Sequence, residues 1–328
     1  MGLVTSQKIA TLYEKYKTID VTFSKEIIQV TGLLTQQVYI KSGSDFWPCV
    51  IFNSSFQGAK VVTNTKTGII GKLEKANNMA SLRFSFKNQD SGNPVTFFVN
   101  SKVTGISPYG GTDDMAVIAI QFTQRPPDDL IETMGRILDA NISSAKRKDE
   151  RIMITPDTIR RLNLGVKESV VFIQKVPRKC ILKDISFSGA KIIMVGVEKF
   201  LLNKEVSIRL DFEEPRESII INGKFIRAES VEGRKELIAL VLLFDENHIP
   251  MNYKIRINDF LSQVRADTRG SEEVVTDQSP PKPTEEAKPA EGTKPAEPAK
   301  PAEPAAAAPK PAAPAPAAAA APPKPAAP

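Results

Sequence analysis

The 328-residue sequence holds one histidine, two cysteines and one tryptophan, and the first two scarcities remove most metal and redox chemistry. Cys49 and Cys180 provide neither a zinc quartet nor a disulfide framework. The lone His248 lies in a polar stretch, DENHIP, that reads as a turn. No glycine-rich phosphate loop of the P-loop or dinucleotide type occurs, and no nucleophile and base suggest themselves as a pair. These absences argue against an enzyme. Long apolar runs are missing as well: residues 237–244 form one of the longest, which is strand-length and too short for a bilayer. The first residues lack the apolar core of a secretory signal, so a cytoplasmic location is expected.

What is present divides into zones. Residues 269–328 are built of Pro, Ala, Lys and Glu with no aromatic residue, too little apolar surface to offset the entropy of ordering. They are expected to be a disordered, partly polyproline-like tail. From Ser271 onward, six Lys stand against eight Asp or Glu, a net of −2; removing it from the formal +6 of the chain leaves about +8 on the body. A basic body suits an anionic partner without naming one.

The body reads as mainly β. Short strand-like runs between polar breaks fill residues 37–122, including 47–52, 59–62, 81–86 and 115–122. A helix follows, with Asp129 as a candidate cap and Leu130, Met134, Ile137 and Leu138 as its stripe. A second β block spans residues 169–244, and a helix over 251–264 closes it. Residues 49–60 match residues 180–191 at six of twelve positions without a gap, both segments starting at a cysteine, and Asn100, Lys102 and Phe122 recur as Asn222, Lys224 and Phe244. The pattern predicts a duplicated small β-barrel: an N-terminal domain over 1–125, an interdomain helix over 126–145, a second domain over 146–268, then the tail. It also predicts that the two cysteines are buried at equivalent positions.

Two motifs carry chemistry. Arg147 and Arg151 form RxxxR just after the connecting helix, and Asp184, Ser186 and Gly189 form DxSxxG at a strand-to-strand turn. An arginine fork can hold a phosphate, or O6 and N7 of guanine, through two parallel hydrogen bonds. A carboxylate suits the guanine edge that presents two donors. Ser186 adds a hydroxyl, and Gly189 admits a tight turn. Together, with the strands and closing helix around them, these residues resemble the PilZ domain, a family of cyclic di-GMP receptors. The resemblance implies that residues 146–264 form a PilZ barrel binding cyclic di-GMP through Arg147, Arg151, Asp184, Ser186 and Gly189, without a metal. Lys146 stands where some members carry another arginine, and Lys148 adds charge beside the fork.

The first block keeps Asn53, Ser55 and Gly58 in the DxSxxG positions but has no arginine before Arg83. It reads as a PilZ-like companion without the clamp, similar to the two-domain layout of flagellar-brake receptors. That layout implies a ligand-driven change of interdomain angle and an unidentified protein partner, in flagellar or chemotaxis machinery. A nucleic-acid-binding protein or a scaffold using the tail is the alternative. Against nucleic acid, Phe172, Phe187, Phe200 and Phe225 mostly alternate as core residues would, not as a stacking surface.

Overall fold

The computed structural model describes residues 6–87, 93–165, 168–234 and 236–276. The first half contains α1 (Ser6–Tyr16), β1 (Val21–Thr22), α2 (Lys25–Thr31), β2 (Tyr39–Ser42), β3 (Asp45–Ser54), β4 (Gly58–Asn64), α3 (Ile69–Lys75), β5 (Met79–Lys87), β6 (Pro94–Tyr109) and β7 (Thr112–Phe122). After α4 (Asp128–Lys146) the second half contains β8 (Ile152–Met153), α5 (Pro156–Leu162), β9 (Glu168–Ile173), β10 (Val176–Ile185), β11 (Gly189–Val195), α6 (Glu198–Leu201), β12 (Glu205–Phe212), β13 (Glu217–Ser230), β14 (Leu237–Phe244) and α7 (Met251–Thr276).

Each half closes a six-stranded antiparallel barrel, so the fold is mainly β, as expected. The N-terminal order is β3-β2-β5-β6-β7-β4, with β4 returning to β3 and β1 added outside β3. The C-terminal order is β10-β9-β12-β13-β14-β11, closed by β11 on β10, with β8 added outside β10. Alternation sorts the side chains: along β3, Trp47, Cys49 and Ile51 point into the core while Phe46, Val50 and Phe52 face outward.

The duplication extends to irregularities. A register shift between Ile51 and Asn53 recurs between Leu182 and Asp184. Another between Val103 and Gly105 recurs between Phe225 and Arg227. Cys49 and Cys180 are both buried and free, and burial pushes each thiol up to about 12. Helices α2 and α5 occupy matching places and are capped alike: Ser24 and Thr155 each accept from the backbone N–H three residues on.

Helix α4 does more than connect. Its stripe of Leu130, Ile131, Met134, Ile137 and Leu138 is buried in the N-terminal core, while α1 packs on one side of it and α7 on another. Asp129 does not cap it. Pro127 takes the N-cap position without a side-chain bond, and Asp128 and Asp129 sit in the first turn, where the helix dipole favours acidic charge. Helix α7 runs past the expected end at residue 264 to Thr276; no proline interrupts it, the first being Pro280. The rest of the expected tail, 277–328, lies outside the described residues. Among the described residues no helix is long and apolar enough to cross a membrane.

Candidate functional site

The two motifs are joined by a strand of only two residues. In β8, Ile152 pairs with Ile185 and Met153 with Asp184, which lays the residues just before β8 along the end of β10. Arg151 therefore lies beside Asp184, and its Nη1 donates to Asp184 Oδ1 at 2.5 Å. The Asp184 side chain is 7% exposed and that of Arg151 44%, so a nearly buried carboxylate holds a guanidinium that still reaches solvent. Such a charge-assisted pair fixes a long side chain in one geometry.

Arg147 terminates α4, its backbone N–H donating to Ser143 O at 2.9 Å. Neither its guanidinium nor the Lys146 ammonium has an ion-pair partner among the described residues. Lys148 is instead held by Glu246, Nζ to Oε2 at 2.7 Å.

The loop between the arginines is pinned from two sides. Ser188 donates to Lys148 O through its N–H at 3.1 Å and through its hydroxyl at 2.9 Å, and its hydroxyl also lies 3.1 Å from Asp149 Oδ1. From α7, Arg265 Nη2 donates to Glu150 Oε2 at 2.5 Å. Ser188 was not singled out in the sequence; its only signal was a hydroxyl inside the DxSxxG turn.

The turn is locked from within. Ser186 is buried, its N–H donates to Gly189 O at 2.8 Å, and its hydroxyl accepts from Gly189 N–H at 3.1 Å. The Ser186 carbonyl accepts from the buried Tyr253 hydroxyl of α7 at 2.7 Å. Burial raises the Tyr253 phenol, so it remains a donor. Gly189 has no positive φ. A Cβ there would lie 2.3 Å from Leu242 O on β14, so barrel closure requires the glycine.

Two hollows lie near the motifs, neither of them lined by Arg147, Arg151, Asp184, Ser186 or Gly189. A cavity of about 260 Å³ under the loop is lined by Lys148, Phe187, Ser188, Glu246 and Lys254 among others. A groove of about 770 Å³ on the outer face is lined by Phe172, Ser207, Asn222, Lys224 and Leu243. Leu243 is in register with Gly189, so the groove opens beside the turn. Free cationic side chains, a buried carboxylate and a roomy groove suit capture of an anion carrying hydrogen-bonding bases. Among the described residues no group of three or more His, Cys, Asp or Glu could hold a metal ion.

Comparison with known proteins identifies both halves of the chain. The PilZN3 domain matches residues 7–141 and the PilZ domain residues 145–263. A Treponema denticola protein named "Cyclic di-GMP binding protein" is 42% identical over 266 residues, covering 81% of this chain and 85% of that protein. Among solved structures, the Borreliella burgdorferi PlzA protein in complex with c-di-GMP aligns at 24% identity over 78% of this chain and 98% of that one, with a TM-score of 0.36. YcgR in complex with c-di-GMP from Escherichia coli aligns at 11% identity over 76% and 92%, with a TM-score of 0.27. With two closed barrels, Arg151 set beside Asp184, and a relative this similar over most of both chains, the chain belongs to the PilZ family, pairing a PilZN3 domain with a PilZ domain.

Proposed function

We propose that this protein is a cyclic di-GMP receptor whose site is the edge of the C-terminal barrel, with Arg147 and Arg151 clamping phosphate and guanine, and Asp184, Ser186 and Gly189 forming the barrel half. The observation that carries this is the Arg151–Asp184 pair, set by the β8–β10 register next to an uncompensated Arg147. Cyclic di-GMP is a dianion with two guanines, and this edge offers forks for both features. Lys146 adds charge at the rim. The named activity of the Treponema denticola relative supports the same ligand. The protein acts by binding, in the cytoplasm, and catalyses no reaction.

The arginine loop is continuous with α4, and α4 is embedded in the N-terminal core. Drawing the loop onto the ligand would pull on that helix and carry the N-terminal barrel with it. The present docking combines Met251 and Ile255 of α7, which pack on the N-terminal core, with polar contacts: Arg136 to Asp259 at 2.6 Å, Asn258 to Asp139 at 2.8 Å, and Met251 N–H to Glu26 at 2.5 Å. The polar contacts can be exchanged at modest cost. On the family resemblance alone, the output is control of a protein partner in motility or related behaviour.

The test is calorimetric titration of cyclic di-GMP into the full chain and into Arg147→Ala, with small-angle scattering of the parent before and after saturation. Saturable binding weakened at least tenfold in Arg147→Ala, with a changed scattering profile, supports the reading. Equal binding by both proteins refutes the clamp. Superimposable profiles refute the interdomain step.

A further inference from the structure

We propose that the outer face of the N-terminal barrel, across β2, β3, β5 and β6, binds single-stranded nucleic acid. The register places Pro48, Tyr39, Arg83 and Phe98 in one row across these four strands. The next row holds Phe46, Lys41, Ser81 and Asn100, and Lys102 follows beside Met79. None of these outward positions is acidic. The rings are open to solvent, Phe98 at 47% and Phe46 at 51%. Cations lie against them: the Arg83 guanidinium is 5.6 Å from the Tyr39 ring centre and 5.9 Å from that of Phe98, and Lys41 Nζ is 5.2 Å from that of Phe46. Arg83 Nε is buried without a hydrogen-bond partner.

The duplicated barrel supplies an internal control. The same row in the C-terminal barrel is Lys179, Val170, Arg209 and Ile220. The arginine is kept and its Nε is likewise buried without a hydrogen bond, but the flanking rings are replaced by aliphatic residues and Arg209 Nε lies in an ion pair 3.2 Å from Asp211. Sheet packing alone therefore does not demand the rings, and among the described residues only the N-terminal barrel leaves this arginine without a carboxylate.

Alternating rings and cations of one sign fit a ligand that repeats a π-face and a phosphate at every unit, which is single-stranded RNA or DNA. Protein interface cores also gather aromatics and arginine but are depleted of lysine, so Lys41 and Lys102 are what favour the nucleic acid. Of the four phenylalanines the sequence assigned to the core of the second barrel, Phe187 and Phe225 are buried, whereas Phe200 is exposed and Phe172 lines the outer groove. The first barrel differs. This site is separate from the cyclic di-GMP edge and does not depend on that reading.

The experiment is fluorescence anisotropy of labelled 20-nucleotide oligouridylate and oligodeoxythymidylate with the full chain, between about 50 and 200 mM salt. Saturable binding that weakens with salt is expected, and the two probes separate RNA from DNA. Arg83→Gln, Phe98→Ala and Phe98→Leu should each lose about tenfold in affinity, while Ile220→Ala and Arg209→Gln should bind as the parent does. Unchanged thermal melting of the variants guards against misfolding, and Phe98→Leu keeps apolar volume while removing the ring. Absence of saturable binding by the parent, or parent-like binding by the three variants, overturns the proposal. Self-association in sedimentation without oligonucleotide binding would assign the face to a second copy and overturn it equally.

Discussion

At one register the C-terminal barrel sets Arg151 against Asp184, and the N-terminal barrel sets Asp20 against Asn53. The residue two before Met153 faces Asp184, and the residue two before Thr22 faces Asn53, whose Nδ2 donates to Asp20 Oδ2 at 3.0 Å. The charge at the clamp position is thus inverted while the strand pairing survives. Four residues earlier, where the second barrel has Arg147 preceded by Lys146, the first has Tyr16 preceded by Lys15. Tyr16 is buried, and Lys15, although exposed, is tied to an acid. Lys15 Nζ lies 2.8 Å from Asp139 of α4, and the buried Tyr16 hydroxyl donates to the same carboxylate. What is a candidate ligand edge in one copy is a helix lock in the other. The difference teaches that the two barrels share a frame but diverge in the residues ahead of β1 and β8, which on the proposed function decide whether an anion is held.

The frame itself is shared, and the largest predicted effect tests that. A Cβ at Gly58 would lie 2.4 Å from Ile120 O, and one at Gly189 2.3 Å from Leu242 O. Gly58→Ala and Gly189→Ala should each cost about 3 kcal/mol in denaturant unfolding. A near-neutral result at Gly58 beside a large loss at Gly189 would break the equivalence of the two copies.

A smaller effect sharpens the divergence at Asp139. Burial would raise this carboxyl, but hydrogen bonds from Lys15, Tyr16 and Asn258 outweigh it and hold it below the ordinary value. Burial and the Asp139 bond push Tyr16 up to about 12. Asp139→Asn should lose roughly 2 kcal/mol at neutral pH. Because the folded-state value is depressed, that stability is present above the unfolded value of 3.8 and is lost as pH falls through the folded one. The gap between parent and variant should close on acidification below about pH 4; a constant gap would show that packing, not charge, is what Asp139 supplies.

The smallest effect concerns one carbonyl solved two ways. Ser186 O receives the Tyr253 hydroxyl, whereas Ser55 O receives the Ser54 hydroxyl at 3.0 Å because the residue matching Tyr253 is the buried Ile131. Tyr253→Phe and Ser54→Ala should each destabilise by about 1 kcal/mol in thermal melting. A null effect in either would mean that the carbonyl finds another donor.

Much of this was legible in the sequence. Most predicted runs fall inside longer observed strands because alternation in half-buried barrels is strong, and the repeat was visible because Cys49, Phe56, Gly58, Ala59 and Lys60 recur with the same partners to pack. The cysteines' shared burial followed from that match. What stayed hidden were the two-residue strands β1 and β8, too short to carry a period, although β8 is what joins RxxxR to DxSxxG. The seven-residue α2 and α5 were missed despite their caps at Ser24 and Thr155, since one apolar turn has no stripe. Ser188, Glu246 and Arg265 were invisible as loop anchors because their partners are distant in sequence. Gly189 was assigned to turn freedom and ligand approach, whereas its space is needed by a neighbouring strand.

The most direct test of the central claim is a calorimetric titration of cyclic di-GMP into the full chain beside Asp184→Ala and Asn53→Ala. Removing one partner of a nearly buried charge pair should cost about 100-fold or more in affinity, so Asp184→Ala should show no measurable heat while Asn53→Ala matches the parent in affinity and site number. Binding that survives Asp184→Ala, or that falls in Asn53→Ala, would contradict an account in which only the C-terminal copy holds the ligand.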